Sequence, residues 1–271
     1  MGYSPFVAFD SINLNGTRLL NLQSLADFQH AVSSNTLPQY MHISPNMRND
    51  GHDTSLSFSG TWLSGFLAPL LSNPTFMNRT LILLTYDESE TYSIPNRIFS
   101  LLLGGAVPTS RHGEVEDTIY NHYSILSTLQ SNWDLPNLGR YDVGANVFSL
   151  VAEQTGYKNV EIEDTYINNS LSYAGFLNTE AGKWKEIPVP NLQLVGAGGK
   201  GVSEAVKRNW ETMGEQMTPY DGSGKFFDGG DGETNPDAPV YGPQVSNVES
   251  PAESWRWMKK KMMSSDAFIF M

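Results

Sequence analysis

The sequence predicts an α/β fold, on three observations. Apolar residues recur at helical spacing in several segments, two continuous apolar runs read as buried strands, and helices alternate with strands over about the first 150 residues. Taken in order, residues 18–34 place Leu19, Leu22, Leu25, Phe28 and Val32 on one helical face. Gln39-Tyr40-Met41-His42-Ile43 is a short strand, stopped by Pro45. Residues 54–72 set Leu56, Trp62, Leu63, Phe66, Leu67, Leu70 and Leu71 in an amphipathic stripe. Asp53 or Thr54 is in position to cap that helix, and Pro69 predicts a kink or an early end. Thr80-Leu81-Ile82-Leu83-Leu84-Thr85-Tyr86 has the pattern of a strand buried on both faces of a parallel sheet. Residues 97–103 repeat that pattern as far as Gly104-Gly105. Residues 123–133, with Ile125, Leu126 and Leu129, predict another helix, and residues 146–152 begin a further one.

Composition narrows the functional classes. The 271 residues are 39% hydrophobic and include 13 Phe, 12 Tyr and 6 Trp, enough for a real core and too many for a wholly disordered chain. No apolar run approaches the roughly 18 residues of a membrane-spanning helix. The 29 Asp and Glu against 17 Lys and Arg give a net charge of −12, which disfavours a general nucleic-acid binder. With no cysteine, disulfides, thiolate metal sites and cysteine nucleophiles are excluded. A metal would be held by carboxylate, imidazole or amide oxygen, which favours a hard divalent cation. Met1-Gly2-Tyr3-Ser4-Pro5 shows no signal-peptide pattern. The sequons at Asn15, Asn78 and Asn168 bear on function only in a secreted chain.

The character changes after Tyr157. Gly/Pro-rich and charged stretches dominate, so residues 1–157 are expected to form the folded domain and 158–271 an irregular or disordered tail. Gly196-Ala197-Gly198-Gly199-Lys200-Gly201 lacks the ending of a phosphate loop. Asp228-Gly229-Gly230-Asp231-Gly232 has glycine where a calcium loop needs a side-chain oxygen. Both read as linker.

In an open α/β sheet, ligands bind beyond the carboxyl ends of the strands. Three polar clusters fall there. Asn46-Met47-Arg48-Asn49-Asp50-Gly51-His52-Asp53 is dense in chemistry, although a solvated turn with Asp53 capping the next helix would read the same. Asp87-Glu88 follows the most apolar strand, where desolvation calls for a cation, either a metal or a side chain such as Arg97. His122, after Asn121, stands at the start of the 123–133 helix, a position more often structural than catalytic. His30, His42 and His112 fit structural positions better still. Together the clusters supply His52, Asp53, Asp87, Glu88 and His122 at one predicted sheet edge. Carboxylates and imidazoles gathered in this way suit a divalent metal, or an anion held by metal and imidazolium.

These residues carry a resemblance. Ser44 to Asp53, Thr80 to Glu88, Asn96 to Pro108 and His122 to Trp133 together resemble, in order, the phosphoesterase family of fungal acid phosphatases and bacterial phospholipase C enzymes. The likeness is colinear from about Pro5 to Ala152 and loses specificity beyond Tyr157. It implies an alkaline-phosphatase-like α/β/α sandwich, hydrolysis of small phosphate esters, and a secreted or cell-wall location. By the same resemblance Asp87 and Glu88 belong to the metal cluster, and His52 and His122 contact the phosphate or protonate the leaving group. Asp53 and Asn49 orient those histidines. Imidazole charges near pH 6.5, which fits acid-side activity. Family members also carry a Glu-Asn metal-ligand segment and a Ser or Thr nucleophile before the matched region. Their absence here implies an N-terminally truncated, C-terminal half of the catalytic domain. The alternatives are a phospholipase C-type phosphodiesterase and a non-catalytic remnant that at most binds phosphate.

Overall fold

A computed structural model describes residues 5–88, 98–161, 188–211 and 218–224, together with the backbone of 172–173, 184–185 and 267–270. In chain order the elements are α1 (Asp10–Asn13), α2 (Gly16–Leu19), α3 (Leu25–Ser34), β1 (Tyr40–His42), α4 (Leu56–Leu71), α5 (Pro74–Met77), β2 (Thr80–Thr85) and β3 (Ser100–Leu103). They continue with α6 (Tyr123–Trp133), α7 (Ser149–Thr155), β4 (Ser172–Tyr173), β5 (Trp184–Lys185), α8 (Glu204–Trp210) and β6 (Ala267–Phe270). Helices and a small mixed sheet make this an α/β chain. It divides into two compact units: Met1–Tyr86 with Phe99–Gly113 and Met258–Met271, and Asp87–Ile98 with Glu114–Trp257.

In the first unit, the face predicted as one helix over 18–34 is split. Ser24 starts a new helix by a capping box: its Oγ accepts from Asp27 N–H at 3.2 Å, and Asp27 Oδ2 accepts from Ser24 N–H at 2.9 Å. Helix α3 ends on Asn35 in the left-handed region, φ 54°. Helix α4 is capped by Ser55, not by Asp53 or Thr54, because Ser55 Oγ accepts from Phe58 N–H. Pro69 lies inside the last turn and the helix still runs to Leu71; having no N–H, it leaves the Gly65 carbonyl without its i+4 partner. Phe28 from α3, Leu67 and Leu70 from α4, Phe76, Met41, Ile43 and Ile82 form the core, with Phe66 stacked between Phe28 and Trp62.

The sheet order is β1-β6-β2-β3. Strand β6 runs parallel to both neighbours, with Met41 and Ile82 opposite Ile269 on either side. Strand β2 is the buried run expected from its composition; Leu81, Ile82 and Leu83 are all buried. The 97–103 run departs from expectation. Of its described residues only Ser100–Leu103 form a strand, antiparallel to β2, and Ser100 and Leu101 are exposed at the sheet edge. Gly104, at φ 111°, turns the chain so tightly that a side chain there would run into the Thr80 carbonyl.

In the second unit, α6 buries several polar residues alongside Leu129. Ser127 Oγ donates to Ala145 O, Thr128 Oγ1 accepts from Phe148 N–H, and Gln130 Nε2 donates to the fully buried Asp142. These bonds fold residues 134–148 back over the helix. The helix expected from Asn146 begins instead at Ser149, because Asn146 bonds Ile119 and Val160, and Val147 exchanges bonds with Asn159.

Within the stretch expected as an irregular tail, residues 188–211 and 218–224 are described and packed. Val189, Leu194, Val202 and Tyr220 are buried. Asn137 Nδ2 donates to Leu194 O and Lys200 O, and Ser203 N–H donates to Asn137 O. The Gly196–Gly201 run is therefore packed: a side chain at Gly198 would meet the carbonyls of Leu135 and Gln130. The second unit runs across position 157. The 228–232 run lies outside the described residues.

Candidate functional site

The loop between β1 and α4 is ordered by its own amides and carboxylates. Asn46 Oδ1 accepts from the N–H groups of Arg48 and Asn49, a local Asx turn. Asp50 Oδ1 accepts from His52 N–H at 2.8 Å, and Thr54 Oγ1 donates to Arg48 O at 2.6 Å. Gly51, at φ 103°, brings the backbone against Ser59 of α4. Arg48 lies over the Phe58 ring, 5.7 Å from its centroid. On this frame His52 Nδ1 meets Asp53 Oδ1 at 3.2 Å, with both side chains more than half exposed. Because Ser55 caps the helix, Asp53 is left to its neighbouring ring. A carboxylate accepts only, so Nδ1 carries the proton and Nε2 is the nitrogen left for chemistry. Asn49 enters through its main chain, whose N–H donates to Asn46.

Asp87, Glu88 and His122 lie in the second unit. Asp87 Oδ1 accepts from Glu88 N–H at 3.0 Å, and His122 Nε2 lies 2.7 Å from Asp87 O. Asn121 supplies the cap of α6: its Oδ1 accepts from Tyr123 N–H, while its own N–H donates to Ser124 Oγ. The His122 ring makes no capping bond to the helix and reaches Asp87 instead.

Both carboxylates are exposed, so the desolvation expected to force a counterion on them is absent. Arg97, weighed as their partner, lies outside the described residues. Two adjacent carboxylates fall short of the six or so oxygen ligands a hard divalent ion takes, and among the described residues no three His, Asp or Glu groups gather to hold one. The described residues alone do not make a complete metal site.

Of the predicted site residues, the structure brings His52 to Asp53 and His122 to the Asp87 main chain. Asn46, Asp50 and Asn121 turn out to hold these contacts in place. Their signal was the Asx pattern, an Asn or Asp two or three residues before the N–H it accepts from.

Comparison with known proteins follows the same residues. Positions 7–136 match the model of the phosphoesterase family. A probable acid phosphatase of Kluyveromyces lactis is 46% identical over 209 residues, 77% of this chain and 49% of that protein. An acid phosphatase of Aspergillus niger is 42% identical over 212 residues, 78% of this chain and 51% of its own length. A phosphatidylinositol-3-phosphatase of Mycobacterium tuberculosis is 35% identical over 103 residues, 38% of this chain and 32% of the other. No solved structure matches. The chain spans about half the length of the fungal relatives it matches. A match over 209 residues is longer than the segment ending at Tyr157, so the likeness continues beyond the point where the motifs fade. Among the described residues no helix is long and apolar enough to cross a membrane.

Proposed function

From a chain that carries a phosphoesterase-family segment over residues 7–136, we propose an acid-phosphatase-type hydrolase of phosphate monoesters. The likeness to fungal acid phosphatases over more than three quarters of the chain supports it, and the pairing of His52 with Asp53 carries it chemically. Asp53 fixes the ring through Nδ1 and presents Nε2, which in the protonated ring donates to a phosphate oxygen or to the departing alkoxide. Asn49 and Asp50 hold the loop that aims the ring. Asp87 and Glu88 would form part of a donor set for a divalent cation that neutralises phosphate charge.

By the same reading, the four-stranded sheet and its helices belong to an alkaline-phosphatase-like α/β/α sandwich, and the chain acts outside the cell or at its wall. A lipid phosphate is the second reading, favoured by the match to the mycobacterial phosphatidylinositol-3-phosphatase. The chain is tested at pH 5 on p-nitrophenyl phosphate, bis-p-nitrophenyl phosphate and phosphatidylinositol-3-phosphate vesicles, with EDTA or added Mg²⁺ or Mn²⁺. Turnover of the monoester above the other two is expected, with loss in EDTA if the carboxylates hold a cation. Preference for the vesicles selects the lipid reading. No turnover of any ester leaves a chain that at most binds phosphate.

A further inference from the structure

We propose that His122 is a positioning residue, whose ring clasps the main chain of Asp87 and so sets the direction of the Asp87 and Glu88 carboxylates. The consequence for turnover rests on the phosphate-ester reading above; the contact itself does not. His122 Nε2 is 2.7 Å from Asp87 O, across 35 residues of sequence. A carbonyl oxygen only accepts, so Nε2 carries the proton and donates. The neutral Nε2–H tautomer and the imidazolium both make this bond, so it does not depend on the charge of the ring.

Asp87 is thereby restrained twice, through its carbonyl by His122 and through Oδ1 by the Glu88 N–H. The anchor is firm: Asn121 caps α6 in place of the histidine, and buried Ser124, Ser127 and Thr128 seat the helix. A ring–carbonyl bond at the surface adds little to global stability, so its loss is felt locally, as a misdirected pair of carboxylates.

The geometry dictates the test. Glutamine places its amide nitrogen four bonds from Cα, as histidine places Nε2; asparagine stops one bond short. His122→Ala, His122→Asn and His122→Gln are compared with the parent in the full chain, all checked for unchanged melting. One readout is the Glu88 amide in ¹H–¹⁵N spectra, the other steady-state hydrolysis of p-nitrophenyl phosphate. The Glu88 resonance is expected to move in the Ala and Asn variants and to return in the Gln variant. In parallel, kcat falls about tenfold in the first two with KM within about twofold, and His122→Gln stays within about threefold of the parent. A Glu88 resonance unmoved in all three variants overturns the proposal. So does a Gln variant with that resonance restored but as slow as the Ala variant, because the ring would then act chemically. If the parent hydrolyses nothing, the phosphate-ester reading fails while the amide resonance still decides the clasp.

Discussion

Tyr220 shows what a single side chain does in an irregular part of this chain. Its buried hydroxyl donates to Val143 O at 3.2 Å and accepts from Gly224 N–H at 2.7 Å, and its ring packs on Tyr141. Tyr220→Phe keeps the ring and leaves both backbone groups unpaired, so the second unit loses about 1–3 kcal/mol in urea unfolding. Burial pushes the Tyr220 hydroxyl well above the ordinary tyrosine value of 10.0. A group raised on folding stabilises fully below its unfolded value and loses that contribution as pH climbs past it. Stability therefore declines above pH 10, and Tyr220→Phe flattens the decline without removing it, since Tyr120, Tyr123 and Tyr157 are shifted the same way. Urea midpoints taken from about pH 9 to pH 11 check this. At this scale His52, Asp53 and His122 are legible in the sequence as candidates, and their chemical roles rest on the proposal above. The resemblance already pointed Asp53 at a histidine ring; that the His122 ring reaches the Asp87 main chain was not legible, because it depends on Asn121 taking the capping bond of the helix.

Elements with a period were legible, and elements without one were not. Helices α4 and α6 and strand β2 announce themselves by spacing or by a continuous apolar run. The 188–224 segment does not. Among its described residues the buried apolar ones are single and irregularly placed, and ties to residues 130–146 run through Asn137, Tyr220 and close glycine contacts. Gly198→Ala tests this: the new methyl meets two backbone carbonyls, so a loss of about 1–3 kcal/mol is expected. Gly201→Ala, with open space around it, stays within about 1 kcal/mol of the parent. Equal melting of the two variants would return the run to linker. Ser55→Ala removes the cap of α4 and costs about 1 kcal/mol, seen in the melting of the first unit.

For the molecule as a whole, the sheet depends on a strand from far along the chain. Strand β6 pairs with β1 on one side and β2 on the other, and among the described residues no other strand joins those two. Deleting residues 267–271 strips both of their parallel partner, so their amides lose hydrogen-exchange protection while those of α6 and α7 keep it. Retained protection at Met41 and Ile82 would contradict that topology. A four-residue apolar strand after a long polar stretch has no pattern that assigns its place in a sheet, which is why it escapes a reading of the sequence.

The whole account turns on His52 as the imidazole that serves a phosphate ester. Steady-state release of phosphate from p-nitrophenyl phosphate at pH 5, compared between the parent and His52→Ala, tests it most directly. The parent turns over, and the variant loses about 10²-fold or more in kcat/KM with its fold intact. Equal rates in the two proteins would contradict it.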